Sequence, residues 1–292
     1  NPHFVESFET ATGEKFNWDN YLPGYSAMKE KERVVFFLRD GLSAAEKERM
    51  AAYGADMSKY LDSGNEARIK KAYESRDPRL QMAVITPYAQ YNGASSGIAH
   101  TYTLRWPYRG SDSAEPFDIR TDTNDKFYYL WRKFVPEGLE QTERDTYGLD
   151  IPLIRYAEVL LLKAEALNEW GSTHESEAIR CVNEVRRRAG HVELNNATYP
   201  ATKVNGQSDL RERIRNEYYW EIGGEDSMYF HELRWGTWKD KKFDNNRNGL
   251  MQMWGETTYT WYWLGDQCWS WPIPAKEMEM NSNLEQNEGW IN

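Results

Sequence analysis

Two cysteines in 292 residues, Cys181 and Cys268, cannot build a disulfide framework. Cys181 falls inside a helical pattern and reads as a small buried hydrophobe, not a nucleophile or metal ligand. Five histidines (His3, His100, His174, His191 and His231) show no H-x-x-x-H spacing, so zinc has no recognisable ligand pair. No apolar run approaches the roughly 18 residues that a membrane-spanning helix needs. The longest, Val159-Leu160-Leu161-Leu162, is interrupted by Lys163 and Glu165. Positive charge is also short: the formal net charge is -10. That argues against nucleic acid, whose binding draws on a basic surface, and against electrostatic docking on anionic lipid. No signal peptide is visible, and the chain opens Asn1-Pro2-His3, so residue 1 is expected not to be the natural start.

Aromatic side chains are abundant instead. They make up 14% of the chain, with 13 Trp and 19 Tyr. Their flat faces with polar edges suit sugar rings, although most must fill a core. They crowd residues 80 to 148, a stretch without strong helical period in which short β-like runs (Met82 to Ile85, His100 to Leu104) alternate with Gly, Ser, Asp and Pro clusters. Binding residues concentrate on such loops. Tyr88, Tyr91, Tyr102, Trp106 and Tyr108 sit there among glycines and serines, with Arg105, Arg109 and Asp112 close in sequence. A ring stacked under a sugar, with an Arg or Asp on its hydroxyls, is a constellation that these residues can form. The candidate ligand-binding set is therefore Tyr88, Tyr91, Tyr102, Trp106, Tyr108 and Arg109.

Upstream, Val34 to Leu38 reads as a short buried strand. Ser43-Ala44-Ala45-Glu46 is a capping box opening a helix toward Tyr60, and a second helix runs from about Asn65 to Tyr73. It stops before Asp77-Pro78-Arg79, because the residue before proline avoids the helical region. From Pro152 the pattern changes. Leu153, Ala157, Leu160, Ala164 and Leu167 share one helical face, and Gly171 ends it. A second capping box, Ser172 to Glu175, precedes the face formed by Ala178, Val182, Val185 and Ala189, closed by Gly190. Two helices joined so tightly must pack antiparallel, in the manner of a tetratricopeptide-type repeat. Further helices are expected over 209–222 and 226–238. These elements add up to a mainly α fold with irregular loops and short strands, loop-rich over 1–150 and helical over 151–292.

Other motifs weigh less. Gly93-Ala94-Ser95-Ser96-Gly97 spells a nucleophile elbow, but Ile98 to Tyr102 alternates like a strand where the elbow needs a helix. Asp244, Asn246, Asn248 and Gly249 match the first half of a calcium loop; the closing bidentate acid would fall at Gly255, and a polar turn is the better reading. Glu158 and Glu165 lie a heptad apart and are expected to pair with Arg155, Arg187 or backbone groups, not to work as acid and base. The run Tyr259 to Trp263, with Trp269 and Trp271, alternates at period two and is expected to pack as a strand pair.

The chain ends Trp271-Pro272-Ile273-Pro274-Ala275-Lys276-Glu277, then Asn281-Ser282-Asn283-Leu284-Glu285-Gln286-Asn287-Glu288-Gly289-Trp290. This resembles the C-terminal signature of the SusD/RagB family of Bacteroidetes surface lipoproteins. Arg155 to Leu161, Ala164 to Glu169 and Val185 to Gly190 are similar to the family's helical hairpin, Asp77-Pro78-Arg79 to a landmark before its variable loops, and His231-Glu232-Leu233-Arg234-Trp235 to its D-L-x-R-W element. The family's E-R-x-x-E-L and E-G-x-R elements each lack an arginine here, where the chain reads Asn216 to Ile222 and then Gly223 to Asp226, which puts local salt bridges there in doubt.

The resemblance implies a SusD-like fold and a non-catalytic role. A lipid-anchored outer-membrane protein captures oligosaccharide and passes it to a SusC-like TonB-dependent transporter, the anchor lying upstream of residue 1. It implies no cofactor. A peptide-binding member, a glycoside hydrolase and a transporter cap without a ligand site remain open. The family's N-terminal helical repeats are expected to be missing. Leu153, Leu160, Val182 and Val185 should then await partners, since a repeat cannot bury its face alone.

Overall fold

The computed structural model describes residues 1–95, 98–109, 117–119, 121, 126–138, 148, 150–225, 227–243 and 249–290. It divides into two units: residues 1–228 with 251–256, and residues 229–250 with 257–292.

The first unit begins with α1 (Pro2–Ser7) and α2 (Glu30–Arg33), then α3 (Ala44–Tyr53), α4 (Asn65–Glu74) and α5 (Arg79–Ala83). Ser43 and Glu46 cap α3 reciprocally, as the sequence predicts: Ser43 Oγ accepts from Glu46 N at 3.3 Å and Glu46 Oε2 accepts from Ser43 N at 2.9 Å. Gly54, at φ 116°, ends that helix well before Tyr60. Val34–Phe37 is a 3-10 turn rather than the expected strand. Its residues are all buried because it lies in the middle of the core. A short apolar run fixes burial, and no period remains to separate strand from helix.

Around it, Trp18 packs on Tyr25, Phe37 and Tyr73, at ring-centroid distances of 4.8, 6.0 and 5.8 Å. The returning segment 251–256 inserts Trp254 against Phe37 and Trp106. Glu256 holds this segment by accepting from Gln252 Nε2 and Trp254 Nε1, both at 3.0 Å, and from the Tyr53 hydroxyl.

Two small antiparallel ladders come next: β1 (Val84–Ile85) with β4 (Leu130–Trp131), and β2 (Gln90–Ser95) with β3 (Ile98–Thr103). Met82 belongs to α5, so the first β run is shorter than the sequence suggests. The helical part comprises α6 (Tyr156–Trp170), α7 (Glu175–Ala189) and α8 (Gln207–Ile222). Pro152 and Leu153 precede α6, and Leu153 is 88% exposed. His174, with no side-chain cap, starts α7 after a 3-10 turn over Ser172–His174, so the second capping box does not form. Gly190, at φ 74°, closes α7 by donating to Arg186 and Arg187 carbonyls. Ala164 and Ala178 are fully buried where α6 meets α7, and no longer side chain would allow that approach. Leu160, Val182 and Val185 are buried within this chain, contrary to the expectation that they await partners. Among the described residues, exposed apolar side chains before and along α6 include Ile151, Leu153, Ile154, Tyr156, Val159, Leu162 and Trp170.

Beneath the hairpin lies a buried ionic cluster. Glu217 and Glu221 are one turn apart on α8, and such neighbours repel unless cations separate them. Arg79 reaches Asp77 and Glu217, both at 2.6 Å, and Glu221 at 3.4 Å. Arg186 of α7 reaches Glu217 at 2.8 Å and Glu9 at 3.1 Å. His191 approaches Glu9 at 3.1 Å. Arg155 reaches Glu221 at 2.9 Å and Glu225 at 2.6 Å; Arg188 and Lys133 complete the set on Glu221 and Glu225. Carboxylates in the stretch where the family arginines are missing are paired all the same, with cations drawn from α5, α7, the segment before α6 and Lys133 after β4. Arg155 and Arg187 serve Glu221, Glu225 and Glu193.

In the second unit, α9 (Ser227–Arg234) ends and α10 (Trp238–Phe243) begins. Trp238, Phe243, Trp263 and Trp269 pack ring against ring at 5.2–5.5 Å. The run from Tyr259 to Trp271 is not a buried strand pair: strand structure covers Thr257–Tyr259, and Tyr259, Tyr262 and Trp271 are exposed. The terminal signature, with α11 (Ala275–Met280) inside it, is a hydrogen-bonded clasp. Gln286 pinches Ile273, accepting from its N–H at 2.7 Å and donating to its carbonyl at 2.9 Å. Asn287 Nδ2 donates to the Trp271 carbonyl and Trp290 Nε1 to that of Ser270.

Arg79→Met should cost about 3–5 kcal/mol in urea unfolding, because it leaves buried Asp77 without its arginine and removes one of the two cations on buried Glu217, Arg186 remaining. A second expectation concerns acid. Burial alone would raise the carboxyl groups of Glu9 and Asp77, but His191 and Arg186 on the first, and Arg79 and His191 on the second, outweigh it and hold both low. A lowered folded value means this stability is fully present above the ordinary 4.5 and 3.8 and is lost as pH falls through the folded values. Melting temperature should fall steeply below pH 4.5 and stay flat from there to neutrality as far as these two groups are concerned.

Candidate functional site

An open pocket of about 740 Å³ lies in the first unit, between α4 and the β2–β3 hairpin. The buried part of its wall is Tyr73, Thr86, Tyr88 and Thr103. Gln81, Gln90, Asn92 and Lys70 form the exposed part, with Glu66, Arg105 and Arg132 between.

Local sequence explains the geometry. Thr86-Pro87-Tyr88-Ala89 is a turn closed by Ala89 N donating to the Thr86 carbonyl at 3.0 Å. Proline presets its second position and Tyr88 takes the third, at φ 63°, where glycine is usual. A non-glycine residue there costs of order 1 kcal/mol or more. Tyr88 offsets it through its N–H to the Leu104 carbonyl at 2.8 Å and its hydroxyl to the Phe37 carbonyl at 2.6 Å. Burial pushes its phenol well above the usual 10. The turn thus holds Thr86 at the pocket wall.

The hairpin register sets which side chains face the pocket. Gln90 pairs with Thr103 and Asn92 with Thr101; Tyr91 pairs with Tyr102 and Gly93 with His100. Opposite residues share a face and successive residues alternate, so the polar set fronts the pocket and the tyrosines lie behind. On that reverse face a Cβ at Gly93 would meet the Tyr102 ring at 2.8 Å and the Tyr91 ring at 3.2 Å. Phe117 closes over His100 and Tyr102, and the Tyr91 hydroxyl donates to the Pro136 carbonyl at 2.7 Å.

The six sequence candidates are therefore not gathered on one surface. Tyr88 lines the pocket from within the core. Tyr91 and Tyr102 occupy the back of the hairpin. Trp106 is 4% exposed and sits between Phe127 and Trp254 as a core residue, not a platform. Tyr108 is half-buried and outside the pocket wall. Arg109 grips Asp118, with Nε at 2.7 Å. Thr86, Thr103, Gln81 and Gln90, which line the pocket beside the Arg105 that the sequence did single out, escape a sequence search because they are chemically ordinary. The Thr-Pro turn and the period-two alternation of polar and aromatic residues were the available signals.

The elbow-like Gly93 to Gly97 continues into strand β3, not a helix; Ser96, Gly97, Asp112, Asp244, Asn246 and Asn248 lie outside the described residues.

Known proteins share this architecture. The SusD family model matches residues 1–290. The chain is 32% identical over 139 residues to the SusD-like protein P38 of Formosa agariphila, covering 47% of this chain and 24% of that protein. It is 28% identical over 161 residues to the starch-binding protein SusD of Bacteroides thetaiotaomicron, covering 55% and 25%. A solved SusD-like protein from Bacteroides fragilis superposes with TM-score 0.60 at 20% identity, covering 99% of this chain and 46% of that one. A SusD-like carbohydrate binding protein from the same species gives 0.51 at 22%, covering 97% and 47%. The chain thus spans about a quarter of the length of these curated relatives and under half of the solved chains.

Trp106→Ala should act on stability, costing about 3–5 kcal/mol as a buried aromatic truncation does. Chemical unfolding followed by far-ultraviolet circular dichroism measures it; a cost below about 1 kcal/mol would show that the ring does not support the core.

Proposed function

The chain belongs to the SusD family, and from that premise we propose that it captures oligosaccharide without turning it over. The observation that carries this reading is the pocket wall. Thr86 and Thr103 are buried residues whose hydroxyls make no hydrogen bond to another described residue, and they face open pocket volume beside the Gln81 and Gln90 amides. Neither hydroxyl oxygen is among the fully enclosed atoms left without a partner, so each is open to water, and a ligand that displaces that water must replace its hydrogen bonds. A sugar hydroxyl is both donor and acceptor and meets that demand. The relatives named for starch and carbohydrate binding support the same ligand class.

Within this reading the protein stands on the outer surface of the outer membrane, held by a lipid anchor, and hands its ligand to a SusC-like TonB-dependent transporter. The support is family membership. No described helix is long and apolar enough to cross a membrane. The acidic chain also has no use for an anionic lipid surface. A binder releases what it captures, so the carboxylates near the pocket are best read as structural. Glu66 accepts from Asp40 N and from Arg105, and Glu137 accepts from Arg132.

Intrinsic tryptophan fluorescence and calorimetric titration against a panel of soluble polysaccharides test this. Saturable binding with no new reducing ends after prolonged incubation is expected. Release of reducing ends would convert the assignment to a hydrolase, and no response to any glycan would remove it.

A further inference from the structure

The charged side chains around the pocket are already engaged with one another. Arg105 donates from Nε to Glu66 at 3.4 Å and from Nη1 to Asp118 at 3.2 Å. Asp118 is also gripped by Arg109. Arg132 donates from Nε to Glu137 at 2.6 Å and from Nη1 to the Gln90 carbonyl at 3.3 Å. Lys70 pairs with Glu74 at 3.5 Å on the rim. Asp40 commits both carboxylate oxygens to the start of α4, accepting from Gly64 N at 2.9 Å and Glu66 N at 3.0 Å.

The uncommitted groups are uncharged. Thr86 is 3% exposed and Thr103 7%, and neither hydroxyl has a partner among the described residues. The same holds for the side-chain amides of Gln81 and Gln90. Neutral hydroxyl and amide groups match the hydroxyls of an ordinary sugar. A carboxylate or sulfate ester is an acceptor only and is recognised by charged or convergent N–H donors. To obtain full charge pairing here it must compete with Glu66 and Asp118 for Arg105, or with Glu137 for Arg132. Each exchange leaves a part-buried carboxylate uncompensated beside a new anion. The lining carboxylates Asp40, Glu66 and Glu74 match the lining cations Lys70, Arg105 and Arg132 in number, so no surplus positive charge is left for an anionic ligand, and the net charge of -10 opposes the approach of a polyanion.

Resting on the glycan-binding reading above, we propose that this pocket selects for charge: it accepts uncharged sugar residues and rejects uronic-acid and sulfated ones. Thr86, Thr103, Gln81 and Gln90 are the specificity-determining groups. The paired Arg105 and Arg132 set the exclusion.

The test uses matched polymers. Calorimetric titration near neutral pH and at about 0.15 M salt, where surface charge is screened as in physiological solution, compares oligogalacturonate with the same oligomer after carboxyl reduction. Neutral gluco-, xylo- and manno-oligosaccharides and a sulfated galactan with its desulfated form complete the panel. Saturable binding is expected for at least one neutral member, and binding at least tenfold weaker for its charged counterpart. Thr86→Val and Thr103→Val keep shape and β-branching, so their melting temperatures should match the parent. Each should weaken the neutral ligand about tenfold, the scale of one hydrogen bond of about 1.4 kcal/mol.

Charged oligomers binding as tightly as neutral ones would overturn the selectivity and leave glycan capture standing. Neutral binding unchanged in both valine variants, with folding intact, would overturn the assignment to this pocket while glycan capture again stands. Binding of no sugar of either kind would overturn both.

Discussion

Two carboxylates one helical turn apart, Glu217 and Glu221, are buried on the same face of α8, and much of the first unit is arranged to neutralise them. Their cations come from separate stretches of chain. Arg79 opens α5, Arg186 and Arg188 end α7, and Arg155 stands immediately before α6. Each must arrive at a set position, so the cluster fixes how the helical hairpin seats on the N-terminal part. Glu9 and His191 extend it, while Arg76 caps the carbonyls of Val5 and Phe8. Buried ion pairs add little net stability against an apolar alternative of equal volume. Their effect here is to penalise every other arrangement, since a displaced helix leaves a buried charge alone.

The same cluster reaches the pocket through the chain. Arg79 is anchored by three carboxylates, and from it α5 runs directly into β1 and then the Thr86 turn. Only one short helix and one short strand separate the ionic anchor from the threonine hydroxyl. The other wall depends on the hairpin, whose back is filled by Tyr91, Tyr102 and Phe117. Aromatic residues therefore serve this site from behind. They hold the strands that present small polar groups, and Trp106 and Trp254 support the core beneath.

This division explains what the sequence made legible. Helices with caps and glycine stops were readable: Ser43 and Glu46 on α3, Gly171 after α6, Gly190 after α7. Local hydrogen bonding decides those. The terminal Pro-Ile-Pro and Gln-Asn segments carried the family resemblance that residues 1–290 bear out, and the clasp on Ile273 shows their structural use. Val34–Phe37 was misread because complete burial erases periodicity. The start of α6 was placed early because Pro152 suits a first turn, whereas Arg155 is extended to reach Glu221, a tertiary demand with no local mark. The pocket wall carries no local mark for a related reason. Aromatic loop residues attract a search for sugar platforms, but whether a ring faces ligand or core depends on a hairpin register set by strand pairing and on packing partners far along the chain.

One rule, that charges find partners within the protein, thus has different results in two places. In the core it sets the register of helices. At the pocket it leaves neutral groups uncommitted, each able to contribute about 0.5–1.5 kcal/mol net to a bound ligand. Four such groups give a total near that of a millimolar complex, for which about 4 kcal/mol is needed. Weak single-site binding is poor retention for a lone monosaccharide. It suits a polymer, which offers the same sugar again at each repeat and raises the local concentration after every release. Uncommitted neutral hydroxyls and amides at the pocket wall are therefore consistent with the proposed capture of long neutral chains.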